Sequence, residues 1–184
     1  MKIMIDAGHG PETAGKRSPD GLLREFNFNN AVATLVRQYL SEEGLTVYFS
    51  HHEQKDISLA ERTKYANQIK VDAFISIHAN AYGTDWNQAN GIETYTYLTA
   101  SKESLALAAL IQQSMIMACN QTNRGVKKAN FAVLRETKMP AVLIECGFMT
   151  NRQEATLLLS KTYRKQCAKA ISFAITAWAY RGKI

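Results

Sequence analysis

The chain has 184 residues, 46% of them hydrophobic and 21% charged, which fits one globular domain. No apolar run reaches the about 18 residues of a membrane-spanning helix, and the N-terminus lacks the apolar stretch of a signal peptide, so we expect no transmembrane segment and no export by a signal peptide. The formal net charge of +6 fits a surface with a modest lysine excess, and would also attract nucleic acid or an anionic cell wall.

The hydrophobic pattern predicts strands and helices that alternate along the chain. A capping box of Ser58 and Glu61 marks the start of the second helix, and Gly44 marks the end of the first. Such alternation predicts an α/β fold, a single domain over residues 1–184 with a twisted mixed sheet of about six strands and helices on both faces. The strands are predicted at about 2–7, 45–49, 73–77, 91–97, 131–134 and 141–144, and the helices at about 28–40, 59–69, 102–119, after 150 and at 163–180.

Three of the predicted strands end on residues that can bind a metal or transfer a proton. The first strand runs into His9, the third into His78, and the strand at 141–144 into Glu145. Ligands of open α/β sheets bind beyond the carboxyl ends of the strands, so we expect these side chains to share one site. This convergence predicts a metal-dependent enzyme.

A third metal ligand must come from elsewhere, because a catalytic zinc site normally takes three protein ligands. Glu25, near the start of the first helix, is the best candidate. A first-turn glutamate that is stabilised by the helix dipole would look the same in the sequence. Glu12 and Asp20 compete with it because both lie close to His9 along the chain.

Glu145 follows four apolar residues and is expected to be buried. A buried carboxylate must be paired, bound to a metal or raised in pKa, and a raised pKa suits a general base near neutral pH. A structural glutamate with a basic or backbone partner would explain the pattern equally well. Cys146 points to the opposite face of the strand and is interpreted as a core thiol. Asn80 would share the face of His78 as a hydrogen-bonding neighbour of the site.

The remaining histidines and the cysteines are interpreted as structural. His51 and His52 follow the second strand, and neighbouring side chains on an extended backbone diverge, so we expect them outside the site. The cysteines form no CxxC pair, which argues against a disulfide framework and against a cysteine-based zinc site. We expect three reduced thiols, Cys119, Cys146 and Cys167.

At this level of detail the chain resembles the catalytic domain of zinc-dependent N-acetylmuramoyl-L-alanine amidases of the amidase-3 type, which occur in bacterial cell-wall hydrolases and phage endolysins. The resemblance runs from residue 3 to about residue 180. It rests on Glu25 and on an ordered series of motifs, at residues 6–10 (DAGHG), 59–62 (LAER), 66–67 (AN), 76–80 (SIHAN), 91–95 (GIETY), 123–127 (NRGVK), 131–135 (FAVLR), 139–148 (MPAVLIECGF) and 150–151 (TN).

The resemblance implies Zn²⁺ as the cofactor, with His9, Glu25 and His78 as its ligands and Glu145 as the catalytic carboxylate. It implies hydrolysis of the amide that joins the lactyl group of N-acetylmuramic acid to L-alanine of the stem peptide. Glu145 would take a proton from the attacking water and return it to the alanine nitrogen.

Further expectations accompany this resemblance. Asn80 and Arg135 are expected to assist as supporting or substrate-binding residues. The partner is peptidoglycan rather than nucleic acid, the enzyme acts on the cell wall, outside the cell or after release by a phage, and we expect a monomer.

The chain departs from the family pattern at few positions. Many relatives have proline after the first aspartate and a second glycine after Gly-His-Gly, where this sequence has Ala7 and Pro11. Relatives often have Thr-Arg where Ser50 and His51 stand. The loop at 81–90 is too short for the inhibitory helix of some Gram-negative relatives, so we expect an open site.

Three alternative functions are weighed against this interpretation. A zinc peptidase that cleaves stem peptides would keep the same ligands. A non-catalytic wall-binding module could keep the fold, but it would have no need of a buried glutamate. Nucleic-acid binding would rest on net charge alone, because no nucleic-acid motif accompanies the scattered basic residues.

Overall fold

Six strands form one sheet in the computed structural model, which describes residues 1–181. In chain order they are β1 (Lys2–Ala7), β2 (Thr46–Phe49), β3 (Ala73–Asn80), β4 (Ile92–Thr96), β5 (Asn123–Lys128) and β6 (Ala141–Phe148). Across the sheet the order is β2-β1-β3-β6-β4-β5. The first four of these are parallel, β4 runs antiparallel to β6, and β5 is parallel to β4. The predicted mixed sheet is confirmed.

Helices cover both faces of this sheet, as predicted. They are α1 (Glu25–Glu42), α2 (Leu59–Ile69), α3 (Lys102–Cys119), α4 (Ala132–Arg135), α5 (Arg152–Leu159) and α6 (Lys161–Tyr180). Helices α1, α3 and α6 bury the larger core against one face, which includes Ile75. Helices α2 and α4 cover the other face, where Phe74 belongs to a smaller core. Adjacent residues of β3 therefore serve opposite sides of the sheet, as the alternation along a strand requires.

The predicted strand at 131–134 is wrong. These residues begin the short helix α4, whose Val133 and Leu134 pack into the smaller core. A short apolar run does not distinguish a strand from a buried helical turn, and here packing against α2 decides for the helix. The missing strand is β5, a mostly exposed edge strand that the hydrophobic pattern did not show. An edge strand has one neighbour only and can remain polar.

Helices α2 and α5 both begin at a polar N-cap residue. The capping box of α2 is present, with the Ser58 hydroxyl accepting from Glu61 and the Glu61 carboxylate accepting from Ser58. Helix α5 begins after Asn151, whose side chain accepts hydrogen bonds from the first-turn amides of Gln153 and Glu154. Both helices therefore start where a polar side chain takes up their unpaired amides.

The expectations for the cysteines and for membrane insertion also have structural counterparts. Cys119, Cys146 and Cys167 are all free and buried, and Cys146 belongs to the larger core. Within residues 1–181 no helix has the length and apolar character needed to cross a membrane.

Candidate active site

Two histidines and a glutamate from separate elements meet beside β1 and β3. His9 follows β1, His78 lies near the end of β3, and Glu25 is the first residue of α1. The Glu25 carboxylate lies between the two rings, with Oε2 3.1 Å from Nε2 of His9 and Oε1 2.9 Å from Nδ1 of His78. One possible ligand atom from each residue lies within 4.8 Å of the other two. The structure thus brings the three predicted ligands together around one point.

The loop after β1 allows the two rings to approach each other. A Cβ atom on Gly8 would lie 2.0 Å from Cε1 of His78, so this position has room for glycine alone. His9 has a φ of 65°, in the left-handed region that residues with a side chain rarely adopt. Arg62 holds this turn, because its guanidinium donates to the backbone carbonyls of Ala7 and His9. The conformation of the His9 loop is therefore fixed from α2.

A buried ion pair supports the site from below. Nη1 of Arg62 donates to Oδ1 of Asp6 at 2.7 Å, and both side chains are almost fully buried. The hydroxyls of Ser50 and Ser76 donate to the two Asp6 oxygens at 2.5 and 2.6 Å. Burial opposes the charge of Asp6, but Arg62 and the two hydroxyls outweigh it and keep the pKa of this carboxyl below its usual value. Asp6 is therefore a fixed negative charge, and both of its carboxylate oxygens accept hydrogen bonds.

Ser76 connects this ion pair to His78. Its Oγ lies 3.1 Å from Nε2 of His78, while its hydroxyl proton is donated to Asp6. The hydroxyl can therefore only accept from the ring, so in the neutral ring, the form that binds a metal, the proton is on Nε2 and the lone pair is on Nδ1. Nδ1 is the nitrogen that faces Glu25. A hydrogen bond to the outer nitrogen is the usual way in which a metal-binding histidine is oriented.

The charges around the cluster favour a bound cation. Burial opposes ionisation of Glu25, but the two histidine rings outweigh it, and the pKa of Glu25 lies well below its usual value. Burial also opposes a positive charge on His78, but Glu25, Glu145 and Asp6 outweigh it, and the pKa of His78 is raised. Two imidazoles and one carboxylate form a donor set of catalytic zinc sites, and other divalent metals accept it as well. The residues present therefore fit a divalent cation.

Glu145 lies beside the cluster on β6, directly opposite His78 of β3. Its Oε2 atom is buried and has no hydrogen-bond partner among residues 1–181. Burial raises the pKa of Glu145 to about 8, while His78 opposes this rise and the charges of Glu25 and Glu93 add to it. A carboxylate that is free of partners and titrates near neutral pH can accept a proton and return it. These are the properties expected of a general base.

An open groove of about 660 Å³ gives access to these residues. His9, His78 and Glu145 line it from the sheet, and Phe131 and Val133 line it beside α4. The first turn of α2 also contributes to the lining. The groove thus combines one polar, chemically active side with one apolar side, as small-molecule and substrate sites commonly do.

The two residues expected to assist lie in different surroundings. Asn80 ends β3, lines a smaller pocket together with the three cluster residues, and donates to Glu93 at 2.8 Å. Arg135 ends α4, and its guanidinium donates to Asn130 and Glu136. Arg135 lines a separate pocket. The structure therefore places Asn80 beside the cluster and gives no support for a role of Arg135 there.

The competing ligand candidates lie outside the cluster. Glu12 and Asp20 are exposed, and neither belongs to the group that can hold a metal in the described part of the chain. His51 is buried, where its Nδ1 accepts from the amide of Ala7 at 3.0 Å and burial lowers its pKa to about 4. His52 is exposed. His51 thus supports the backbone next to the site, whereas His52 takes no part in it.

Several residues that position the ligands were missed by sequence reasoning. Asp6 and Ser76 each interrupt an apolar strand, and a polar side chain within a buried strand needs a partner, so this signal was available. Arg62 and Asn29 lie on helices and gave no comparable signal. Asn29 donates to the carbonyl of Gly8 at 3.0 Å and to Glu25 at 3.4 Å.

Curated relatives share this sequence over most of its length. Residues 3–177 match the family described as N-acetylmuramoyl-L-alanine amidase. The protein YqiI of Bacillus subtilis is 36% identical over 96% of this chain and 84% of its own length. The N-acetylmuramoyl-L-alanine amidase LytC of Bacillus subtilis is 37% identical over 92% of this chain, which spans 34% of LytC. The N-acetylmuramoyl-L-alanine amidase CwlM of Bacillus licheniformis is 34% identical, and the match spans 65% of CwlM.

Solved structures of amidases share the fold. The N-acetylmuramoyl-L-alanine amidase from Clostridium difficile 630 matches with a TM-score of 0.93 and 33% identity, over 98% of this chain and 97% of that chain. The catalytic domain of CwlV, an amidase from Bacillus (Paenibacillus) polymyxa var. colistinus, matches with a TM-score of 0.89 and 34% identity, over 97% of each chain. This chain therefore belongs to the N-acetylmuramoyl-L-alanine amidase family, and the predicted enzyme class, an amidase that acts on peptidoglycan, is confirmed.

Proposed function

We propose that this chain hydrolyses the amide between the lactyl group of N-acetylmuramic acid and L-alanine with a Zn²⁺ ion held by His9, Glu25 and His78. Glu145 is the residue that transfers the proton. The observation that supports the proposal best is the buried Oε2 of Glu145, which lacks a partner among residues 1–181 and lies beside three converging donor groups. Burying such a group is costly, and a module that only binds the wall has no use for it.

The residues of this chain have separate tasks in the reaction. Bound Zn²⁺ would supply Lewis-acid polarisation of the amide carbonyl and would lower the pKa of a bound water. Glu145 accepts a proton from the attacking water and returns it to the alanine nitrogen as the carbon–nitrogen bond breaks. Glu25 remains anionic between the two rings, and Ser76 keeps the Nδ1 lone pair of His78 directed toward the cluster.

The groove fits a substrate that has both apolar and polar parts. Phe131 and Val133 provide an apolar wall, and Thr13 and Lys16 provide polar groups near His9. The net charge of +6 attracts the protein to an anionic wall at low ionic strength. Both features are compatible with a glycan strand that carries peptides.

Product analysis of digested peptidoglycan tests the proposal. Purified walls are treated with the protein as isolated, with chelated protein, and with chelated protein to which Zn²⁺ has been added back. We expect intact stem peptides with a free alanine N-terminus, no release after chelation, and recovery with zinc. Fragments shortened within the stem would show a peptidase instead. Binding to the wall without any product would show a non-catalytic module, and recovery only with another metal would contradict the zinc assignment.

A further inference from the structure

A second buried carboxylate lies one strand away from Glu145. Glu93 of β4 is paired with Glu145 of β6 in the antiparallel ladder, so the two side chains share one face of the sheet. Glu93 is only 2% exposed. Its Oε1 accepts hydrogen bonds from Asn80 at 2.8 Å and from the Tyr95 hydroxyl at 2.7 Å. Because Asn80 also lines the pocket of the ligand cluster, Glu93 is connected to the active site through this one side chain.

Two cations share the other oxygen of Glu93. Nε of Arg124 donates to Oε2 at 2.7 Å, and the ammonium group of Lys127 bonds the same atom. This group of three residues therefore carries one positive charge more than the carboxylate neutralises. The side chains of Arg124 and Lys127 are 34% and 37% exposed, so both reach the solvent.

Both cations keep unused donors. An ammonium group has three N–H donors, and within residues 1–181 the only acceptor bonded to Lys127 is Glu93. Arg124 uses Nε for Glu93 and Nη1 for the carbonyl of Asn90, and Nη2 has no hydrogen-bond partner in the described part of the chain. The guanidinium also lies 4.9 Å from the ring centre of Phe148, which helps to fix its position. The remaining donors are therefore held in place and available.

A β-bulge in β5 directs the side chains of Arg124 and Lys127 to the face of the sheet that carries Glu93. Strand β5 has one residue more than β4 between paired positions, and the register shifts there. The shift occurs around Gly125, whose φ of 78° is in the region that favours glycine. In a regular strand Arg124 and Lys127, three positions apart, would point to opposite faces. The bulge allows both to reach Glu93, and such bulges commonly re-aim side chains next to active sites.

We propose that Arg124 and Lys127 form an anion subsite that binds a carboxylate of the stem peptide. This inference rests on the proposed function, which places the first amide of the stem peptide at Glu145, one strand away from the Glu93 that holds the two cations. In peptidoglycan, L-alanine is followed by D-glutamate linked through its γ-carboxyl, which leaves an α-carboxylate or the corresponding carboxamide. A carboxylate offers two acceptor oxygens and a charge opposite to that of the guanidinium and ammonium groups, whereas a neutral carboxamide offers one carbonyl oxygen and no charge, so the carboxylate binds the two cations more strongly. Glu93 is a positioning residue that holds the two cations in place.

Binding of two matched probes tests the subsite. The probes are N-acetylmuramoyl-L-alanyl-D-glutamate, linked through the γ-carboxyl with a free α-carboxylate, and the same molecule with an α-carboxamide. They are titrated into zinc-loaded Glu145→Gln protein, so that the probe stays intact. We expect the carboxylate form to bind about 5- to 20-fold more tightly, as charge-assisted hydrogen bonds allow. Arg124→Gln and Lys127→Gln should each reduce this ratio severalfold.

Two further variants separate the subsite from general effects. Lys165→Gln removes the same charge from the exposed side of α6 and should leave the ratio unchanged. Since Lys127→Gln leaves the buried Glu93 with fewer partners, the double variant Glu93→Gln/Lys127→Gln is measured as well, with thermal unfolding as a check of the fold. The double variant should lose the preference for the carboxylate probe to the same extent as Lys127→Gln.

Three results would overturn the subsite: equal binding of the two probes, no binding of the carboxylate probe, or variants that weaken both probes equally. Hydrolysis of walls by the unsubstituted protein is assayed separately. Hydrolysis without any carboxylate preference overturns the subsite alone, and a preference without hydrolysis overturns the proposed function alone.

Discussion

Ser76 accepts a hydrogen bond from Nε2 of His78 at 3.1 Å and thereby determines which nitrogen of this ring faces the ligand cluster. The direction of the bond follows from the next contact, because the Ser76 hydroxyl donates to Asp6. The two hydrogen bonds that link Asp6, Ser76 and His78 join residues of the neighbouring strands β1 and β3. They orient a metal ligand without contacting the metal position itself.

Removing the Ser76 hydroxyl should weaken metal binding. In Ser76→Ala the Nε2 proton of His78 loses its acceptor and the ring loses its orientation, so we expect the zinc affinity to fall by about 10- to 100-fold. The measurement is a competition titration of zinc against a chelator of known affinity.

Ser50→Ala is the matched control for this variant. Ser50 donates to the same Asp6 carboxylate at 2.5 Å, and within residues 1–181 it makes no hydrogen bond to His78. It should lower the free energy of unfolding by about 1 kcal/mol, the usual effect of losing one hydrogen bond, and should leave zinc affinity nearly unchanged. Equal losses of zinc affinity in both variants would show that Ser76 acts only through general stability.

The close approach of Gly8 to the ring of His78 leads to a second prediction. In Gly8→Ala the added Cβ would overlap the His78 ring, at 2.0 Å from Cε1, so the ring must move away from the cluster. We expect loss of stoichiometric zinc binding in a protein that still folds. Gly21→Ala is the comparison, because it adds the same methyl group in open space, at a φ of 75° that makes it the more strained backbone, and it should keep stoichiometric zinc. Stoichiometric zinc in Gly8→Ala would refute this explanation of the glycine.

Glu145→Gln tests the proton-transfer role. The amide side chain has nearly the same shape as the carboxylate but cannot accept the proton, so we expect turnover on purified walls to fall by about 10²- to 10⁴-fold. Zinc content should remain at one ion per chain, because Glu145 is not among the three ligand-type residues of the cluster. Activity within tenfold of the unsubstituted protein would rule out Glu145 as the base.

The same substitution should change how stability depends on pH. In the metal-free protein the pKa of Glu145 is raised from 4.5 to about 8 by burial. Between these values the folded chain binds the proton and the unfolded chain does not, so the free energy of unfolding decreases as the pH rises. A glutamine at this position has no proton to lose, so the free energy of unfolding of Glu145→Gln does not decrease with pH for this reason. We expect the variant to gain about 2 kcal/mol relative to the metal-free parent between pH 5 and pH 8, allowing for the partial exposure of this residue. Denaturant unfolding at both pH values measures the difference, and parallel pH profiles would contradict the buried, protonated carboxyl.

The sequence allowed the position of the site to be predicted because of one topological rule. His9, His78 and Glu145 each follow an apolar run, and parallel strands place their carboxyl ends at one edge. Glu25 was the best candidate for the third ligand, but the residues alone left Glu12 and Asp20 open, because a loop of unknown path separates all three from β1. The resemblance favoured Glu25, and the structure places it between the two histidine rings.

The features that were predicted wrongly or missed from the sequence depend on tertiary packing. The run at 131–134 was apolar enough for a strand, but α4 forms because Val133 and Leu134 pack into the smaller core. Strand β5 was missed because its edge position lets it remain polar. The contacts of Arg62 with Asp6 join positions that are 56 residues apart, and no local pattern in the sequence predicts such a pairing.

The most direct test of the proposed metal centre is an anomalous-scattering measurement at the zinc edge on crystals of the zinc-loaded protein. We predict one strong peak within bonding distance of His9, Glu25 and His78, with Glu145 close to it but not bound. A peak at another set of residues, or no peak at this cluster in zinc-saturated crystals, would contradict the proposed metal centre.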